Sequence, residues 1–231
     1  MRVPSLAIVL GIAFGFPPPA LSGQTTLDEG TFLITVNGNP SGTETFSIRL
    51  TSVGAEVLVF ATAEVDLQVA GGRLDMRPAL RMEGRDMAVS GYQVKISGQQ
   101  QQEIFLELGD NRFVTRIHSE RGEQQREYRA APGTLLLDTG MAHQYYFVSA
   151  RIPSGGGTIP VMVPREGRQY DLTVTEVGTE SLTVAQRSVV ARHMRLEGNQ
   201  EVRDLWVDEE GRVLRVDHPA SGYSATRESL P

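Results

Sequence analysis

The chain has 231 residues, a formal net charge of −6 and no cysteine. The missing thiol excludes disulfide bonds, thiolate catalysis, iron–sulfur clusters and zinc sites built from cysteine. Because 28 Asp and Glu face only 22 Lys and Arg, the acidic balance disfavours phosphate backbones and anionic headgroups as partners, and we expect no nucleic-acid binding.

The first 22 residues predict an export signal. A basic start is followed by an apolar run over residues 6–16, and Ala-Leu-Ser at 20–22 is typical of a cleavage site. The apolar run is too short for a bilayer core of about 30 Å, so we expect no stable membrane anchor. We therefore predict a signal peptide over 1–22, a periplasmic or extracellular protein, and a single all-β domain over 23–231.

Two-residue alternation of apolar and polar side chains dominates the rest of the chain. Phe46, Ile48 and Leu50 share one face of a predicted strand, with polar residues between them. Such a period places one set on a core and the other towards water, as in antiparallel sheets. Similar runs occur at 92–96, 104–108 and 170–175, and turns rich in Gly, Asn or Asp occur at 37–42, 71–72, 109–111 and 208–211. We predict roughly ten to twelve strands and no parallel nucleotide-binding sheet.

One segment, residues 139–152, departs from this alternation. Met141, Tyr145 and Val148 recur there at helical spacing, which predicts one short amphipathic helix with Thr139 as its N-cap. In an all-β chain such a helix packs on the sheet or plugs its open side. Glycines at 155–157 predict a flexible connector after it.

Asp138-Thr139-Gly140 follows three leucines and resembles the catalytic loop of retroviral-type aspartic proteases. Those enzymes need two such loops, whose carboxylates share a proton, so a chain with one copy would have to form a homodimer. The alternative is a strand that ends at a helix N-terminus, where Asp138 and Thr139 cap free N–H groups. The sequence leaves both interpretations open.

The other reactive side chains form no recognisable catalytic or metal motif. The histidines lie at no metal-ligand spacing, and we expect no metal and no cofactor; they are His118, His143, His193 and His218. The aromatic residues Trp206, Tyr145 and Tyr146 are candidates for contact with an apolar ligand, and packing in the core is the alternative for each.

Three segments together resemble a class of exported bacterial all-β proteins of unknown function. They are the opening hairpin over 30–46, the run 132–138 with His143 and Tyr145 behind it, and the closing hairpin over 205–213. The resemblance implies a curled antiparallel sheet or open barrel, similar in outline to periplasmic lipoprotein carriers. It brings no catalytic residues with it.

The expected fold class is all-β: a strongly curved antiparallel sheet, as an open β-barrel or β-roll, with one short helix. We expect a non-catalytic exported envelope protein that binds an apolar ligand such as a lipid, or another envelope component, in the concave face. The alternatives are a homodimeric aspartic protease that uses Asp138, and a structural or assembly partner that docks an envelope protein through an exposed strand edge. An apolar cavity of a few hundred cubic ångströms favours a carrier, whereas a solid interior favours a scaffold.

Overall fold

The computed structural model describes residues 23–53, 56–152 and 155–230, and the predicted export signal over 1–22 lies outside this range. These residues form fifteen strands: β1 (Gln24–Val36), β2 (Asn39–Val53), β3 (Glu56–Val69), β4 (Gly72–Glu83), β5 (Ala88–Gly98), β6 (Gln102–Gly109), β7 (Arg112–Ser119), β8 (Gly122–Arg129), β9 (Leu135–Leu136), β10 (Gly157–Val163), β11 (Arg168–Val184), β12 (Arg187–Gly198), β13 (Glu201–Val207), β14 (Val213–His218) and β15 (Tyr223–Arg227). The described residues also contain helix α1 (Tyr146–Arg151) and the 3-10 turns His143–Tyr145 and Pro219–Ser221.

All fifteen strands belong to one sheet that curls without closing. From β1 in its middle, β2 to β8 follow in order to one edge, and β15 back to β9 follow in order to the other. The neighbours pair antiparallel except β9 and β10, which are parallel. The predicted all-β class with a strongly curved antiparallel sheet and one short helix is confirmed. The number of strands exceeds the predicted ten to twelve.

Each predicted turn contains the end of a hairpin, but the first is shorter than the predicted 37–42, because residues 39–42 belong to β2. At the β1–β2 turn, Asn37 and Gly38 both have positive φ angles, 51° and 76°, which is the backbone conformation that favours these residue types. The β11–β12 turn is formed instead by Ala185 and Gln186, with φ angles of 50° and 61°. This turn therefore carries no Gly or Asn signal that the sequence could show.

A buried ion pair joins the first and last strands in the middle of the sheet. Asp28 Oδ1 lies 2.6 Å from the Arg227 guanidinium, and the two side chains are 2% and 1% exposed. The guanidinium also lies over the rings of Phe32 and Phe46. A Cβ at Gly30 would lie 2.9 Å from Arg227 Nη2, so a glycine at this position lets the arginine pack against the strand. Burial raises the pKa of Asp28, against the opposing effect of Arg227.

The inner face of the sheet forms one continuous hydrophobic core. Strand β3 shows the pattern: Val59, Ala61, Ala63 and Val65 are buried, and the residues that alternate with them point outwards. The segment 135–152 runs inside the curl and contributes its own buried side chains to this core, namely Leu135, Leu136, Leu137, Met141, Ala142, Tyr145, Phe147, Val148 and Ile152. The chain thus fills the concave face with its own residues.

The helix inside the curl is shorter than predicted over 139–152, because its first residues form turns and only Tyr146–Arg151 is α-helical. Thr139 is not its N-cap, which corrects the prediction: the Thr139 hydroxyl donates to Glu166, and the residue at the N-cap position makes no side-chain capping bond. The backbone N–H groups of Ala142 and His143 find an acceptor on another strand, described below. These N–H groups are thus bound by a carboxylate that is distant in sequence and not by a neighbouring capping side chain.

A β-bulge gives the long β11–β12 hairpin two different faces. The pairing shifts between Glu176 and Gly178, and beyond this point the alternation of β11 is reversed. On the outer face, Val184 and Ala191 form a second small core with Leu214, against which Leu182, Val189, Trp206 and Leu230 also pack. On the inner face, Arg192 lies opposite Val207 of the main core, so Arg192 and its neighbours face the open end of the curl.

Candidate functional site

A carboxylate of β2 holds the helical segment inside the curl. Glu44 is fully buried and accepts hydrogen bonds of 2.7 Å from the backbone N–H groups of Ala142 and His143. Its Oε1 also lies 2.6 Å from His143 Nδ1. We call this arrangement the Glu44 clasp. Three donors around one buried carboxylate satisfy its hydrogen-bonding capacity and fix the position of the segment.

Asp138 occupies the junction between β9 and the helical segment and is 2% exposed. Its carboxylate accepts hydrogen bonds from the Tyr92 hydroxyl at 2.8 Å, the Thr139 N–H at 3.0 Å and Arg165 Nε at 3.3 Å. Burial, together with the charge of Asp138, raises the pKa of Tyr92 well above its ordinary value. An aspartic protease needs two carboxylates around one water. This enclosed carboxylate supports the structural-junction interpretation and gives the protease interpretation no support.

A row of polar side chains crosses the inner face of β13, β14 and β15. His218 of β14 lies opposite Tyr223 of β15. Asp204 of β13 lies opposite Asp217 of β14, so Arg203, one position before Asp204, lies next to His218. Arg203 donates to the Tyr170 hydroxyl at 2.8 Å. Burial, aided by the charge of Arg203 and opposed by Glu201, lowers the pKa of His218, whose Nε2 lies 3.3 Å from Glu201 Oε2. Three further buried polar atoms of this row or of the clasp have no hydrogen-bond partner within the described ranges: Arg203 Nε, Tyr223 Oη and His143 Nε2.

The three aromatic candidates of the sequence lie in three different places. Tyr145 is buried in the main core, and burial raises its pKa to about 12. Tyr146 is half-buried beside the open end of the curl. Trp206 lies on the outer face, where its ring stacks on His193 with a centroid distance of 4.5 Å and the Arg215 guanidinium lies 5.3 Å from the ring centroid. Its neighbours on β12 and β14 therefore cover much of the indole, and contact with a ligand stays a prediction for all three.

An open groove, which we call the mouth groove, lies between α1 and the inner face of the β11–β12 hairpin. Its volume is about 450 Å³, and its lining residues include Tyr146, Ala150, Ile152, Thr179, Val190 and Arg192 together with the β13–β14 turn at 208–211. This volume is within the range of about 300–1,000 Å³ that is typical of small-molecule sites. Val190 is 65% exposed there.

A second hollow, of about 530 Å³, lies beside α1 and is lined by Met87, Pro132 and Phe147 among others. The Arg151 guanidinium, which also lines it, is held by the carbonyl oxygens of Gly133 at 2.8 Å and Met87 at 2.9 Å. Its donors are thus already occupied by the backbone. The mouth groove is the better candidate for a ligand.

The described residues offer no centre for metal chemistry and no membrane-spanning helix. No group of three or more His, Asp or Glu among them could hold a metal ion. None of the helices in the same residues has the length and hydrophobicity needed to cross a bilayer.

Comparison with known proteins identifies the fold and no family. No protein-family model and no curated protein matches the chain. The chain is similar to the crystal structure of a β-barrel-like protein of a domain of unknown function, DUF1849, from Brucella abortus, with a TM-score of 0.51. The match covers 86% of this chain and 93% of that one at 10% sequence identity. This likeness supports the curled all-β fold expected from the sequence.

Glu44→Ala should strongly destabilise the protein. The substitution leaves two buried N–H groups and a buried imidazole without their acceptor, so we expect the free energy of unfolding to fall by about 3–5 kcal/mol. Urea unfolding followed by circular dichroism measures this loss. Glu64→Ala is the matched control, because Glu64 is an exposed residue of the adjacent strand paired with Arg77, and its loss should cost about 1 kcal/mol or less. Equal effects of the two substitutions would contradict the structural role of the clasp.

His218 should make the protein less stable in mild acid. The pKa of His218 is lower in the folded state than in the unfolded state, so the unfolded state binds a proton at higher pH. The stability contributed by neutral His218 is therefore lost as the pH falls below about 6.5. We expect a smaller fall in unfolding free energy between pH 8 and pH 5 for His218→Gln than for the unaltered protein. His118→Gln, at a site where the side chain is 47% exposed, should leave the pH dependence unchanged. Identical profiles for all three proteins would disprove the assignment.

Proposed function

We propose that this protein is a non-catalytic exported envelope protein, and that it binds an apolar ligand or the apolar part of another envelope component at the mouth groove. The concave face, where the sequence predicts the ligand, is filled by the chain itself, so the observation that carries the proposal is the mouth groove, whose volume of about 450 Å³ is of the size that favours a carrier. Residues 135–152 occupy the concave face, so the open apolar surface beside them lies in the groove where α1 meets the β11–β12 hairpin.

The buried titratable groups support a non-catalytic role. Glu44 and His143 are bound to each other, and Asp138 is bound to Tyr92 and Arg165. A general acid, base or nucleophile has to reach a substrate atom directly or through a water. Carboxylates that are fully enclosed and already hydrogen-bonded are suited to holding a segment in place instead.

Assembly through a strand edge is less well supported than the groove. Strand β8 ends the sheet, and Glu123, Arg126 and Glu127 are among its exposed residues. Charged side chains on an edge strand are a common protection against pairing with other chains. The groove, in contrast, has exposed apolar surface at Val190, next to the charged residues that line it.

A neutral apolar dye should bind the purified protein through the groove. We expect saturable binding of N-phenyl-1-naphthylamine with enhanced fluorescence, and at least a tenfold loss of affinity for Val190→Asp, because the bound dye would remove water from the new carboxylate. Val177→Asp is the matched control, since Val177 is 57% exposed on the same hairpin and does not line the groove. Absence of saturable binding, or equal losses for both variants, would refute the proposed site.

Export should depend on the apolar run of residues 6–16. In a bacterial host we expect the protein in the periplasmic fraction with an N-terminus near Gly23, and Leu10→Arg should retain it in the cytoplasm with its leader intact. Val3→Arg adds the same charge to the basic start and should leave export unchanged. Recovery of the unaltered protein from the cytoplasm in its full length would exclude an envelope function.

A further inference from the structure

We infer that the mouth groove takes a single-chain amphiphile with a carboxylate head, and that Arg192 binds this head. The inference rests on the proposed function and adds the chemical class of its ligand. It goes beyond a general apolar site because it assigns an anion-binding role to one side chain and predicts selectivity between ligands of equal chain length.

Arg192 is a charged residue on an inward-facing position. It pairs with Thr179 on one side and with Val207, which is fully buried in the main core, on the other. Directly opposed residues of antiparallel strands lie on the same face of the sheet. Arg192 is half-buried at the mouth of the curl, and its guanidinium has no carboxylate or hydrogen-bond partner among residues 23–53, 56–152 and 155–230.

A second arginine, Arg212, lies near the β13–β14 turn that lines the groove, and it is already paired with carboxylates. Arg212 lies 2.7 Å from Asp208 and 2.9 Å from Glu210, so one cation is shared by two carboxylates of the groove lining and the turn keeps a net negative charge. Glu209 keeps its negative charge on the turn, whereas Arg192 stands on the hairpin wall. This distribution favours an anionic head at the hairpin wall and disfavours one at the turn.

The chemistry of the two walls matches the two ends of a single-chain amphiphile. The planar guanidinium of Arg192 can bind both oxygens of a carboxylate, and the Thr179 hydroxyl beside it can donate a further hydrogen bond. Tyr146, Ile152 and Val190 supply the apolar surface for the chain. Each methylene buried there should tighten binding by up to about fourfold.

Displacement of N-phenyl-1-naphthylamine by twelve-carbon amphiphiles below their micelle concentrations tests the inference. For the unaltered protein we expect dodecanoate to compete at least tenfold better than dodecan-1-ol, and dodecyltrimethylammonium to compete worst. Arg192→Gln should remove the advantage of dodecanoate over dodecan-1-ol, and an unchanged circular-dichroism spectrum shows that the variant is folded. Arg187→Gln, an exposed position on the same strand outside the groove, should change none of these values.

The outcomes separate this inference from the proposed function. If the neutral dye does not bind the unaltered protein, the proposed function fails and this inference fails with it. If the dye binds and dodecanoate competes no better than dodecan-1-ol, or if Arg192→Gln retains the preference, only this inference is overturned. Binding to phosphatidylglycerol vesicles without binding of monomeric dodecanoate would also overturn it, in favour of a membrane surface.

Discussion

The Glu44 clasp is the contact on which the rest of the structure depends. A carboxylate with no exposure to water carries a large desolvation cost, and only strong, well-placed donors offset it. Here the donors are the N–H groups of Ala142 and His143 and the ring of His143, all from a segment about a hundred residues further along the chain. The carboxylate and the segment therefore need each other: without the segment Glu44 is buried unpaired, and without Glu44 the segment has no cap.

The clasp also determines what the curled sheet can do. With residues 135–152 held inside, the concave face becomes a packed core, and the proposed ligand site lies beside this segment instead of within the curl. Ser149 fixes the other end of the same segment by donating to the carbonyl oxygen of Tyr146 at 2.9 Å and to that of Gly211. Helix α1 is thus tied to the β13–β14 turn, and both belong to the lining of the mouth groove. The segment that packs the interior of the curl therefore also shapes the mouth groove.

The fold class could be predicted from the sequence because alternation with period two is a local property. Glu44 lies two residues before Phe46, and every second residue of a strand lies on the same face, which here also carries Ile48. The alternation therefore already places the Glu44 carboxylate on the core side. The partner of that carboxylate could not be predicted, because the contact spans about a hundred residues and no local pattern encodes it. For the same reason the sequence assigned the cap to Thr139. Strand β8 shows a different limit: both of its faces are exposed, so it has no apolar alternation, and only its pairing with β7 makes it a strand.

The mouth groove could not be predicted from alternation for a third reason, the bulge between Glu176 and Gly178. A period of two assigns every second residue to the core along a whole strand, and one extra residue reverses that assignment beyond the bulge. Val184 and Ala191 then build the second small core on the outer face, while Val190 and Arg192 turn towards the open end of the curl. Beyond the bulge, the outer face of the hairpin therefore packs in the second small core, and its inner face is an exposed wall. An apolar residue and a cation on that wall, facing a helix fixed by the clasp, are the features on which the proposed binding at this end of the sheet rests.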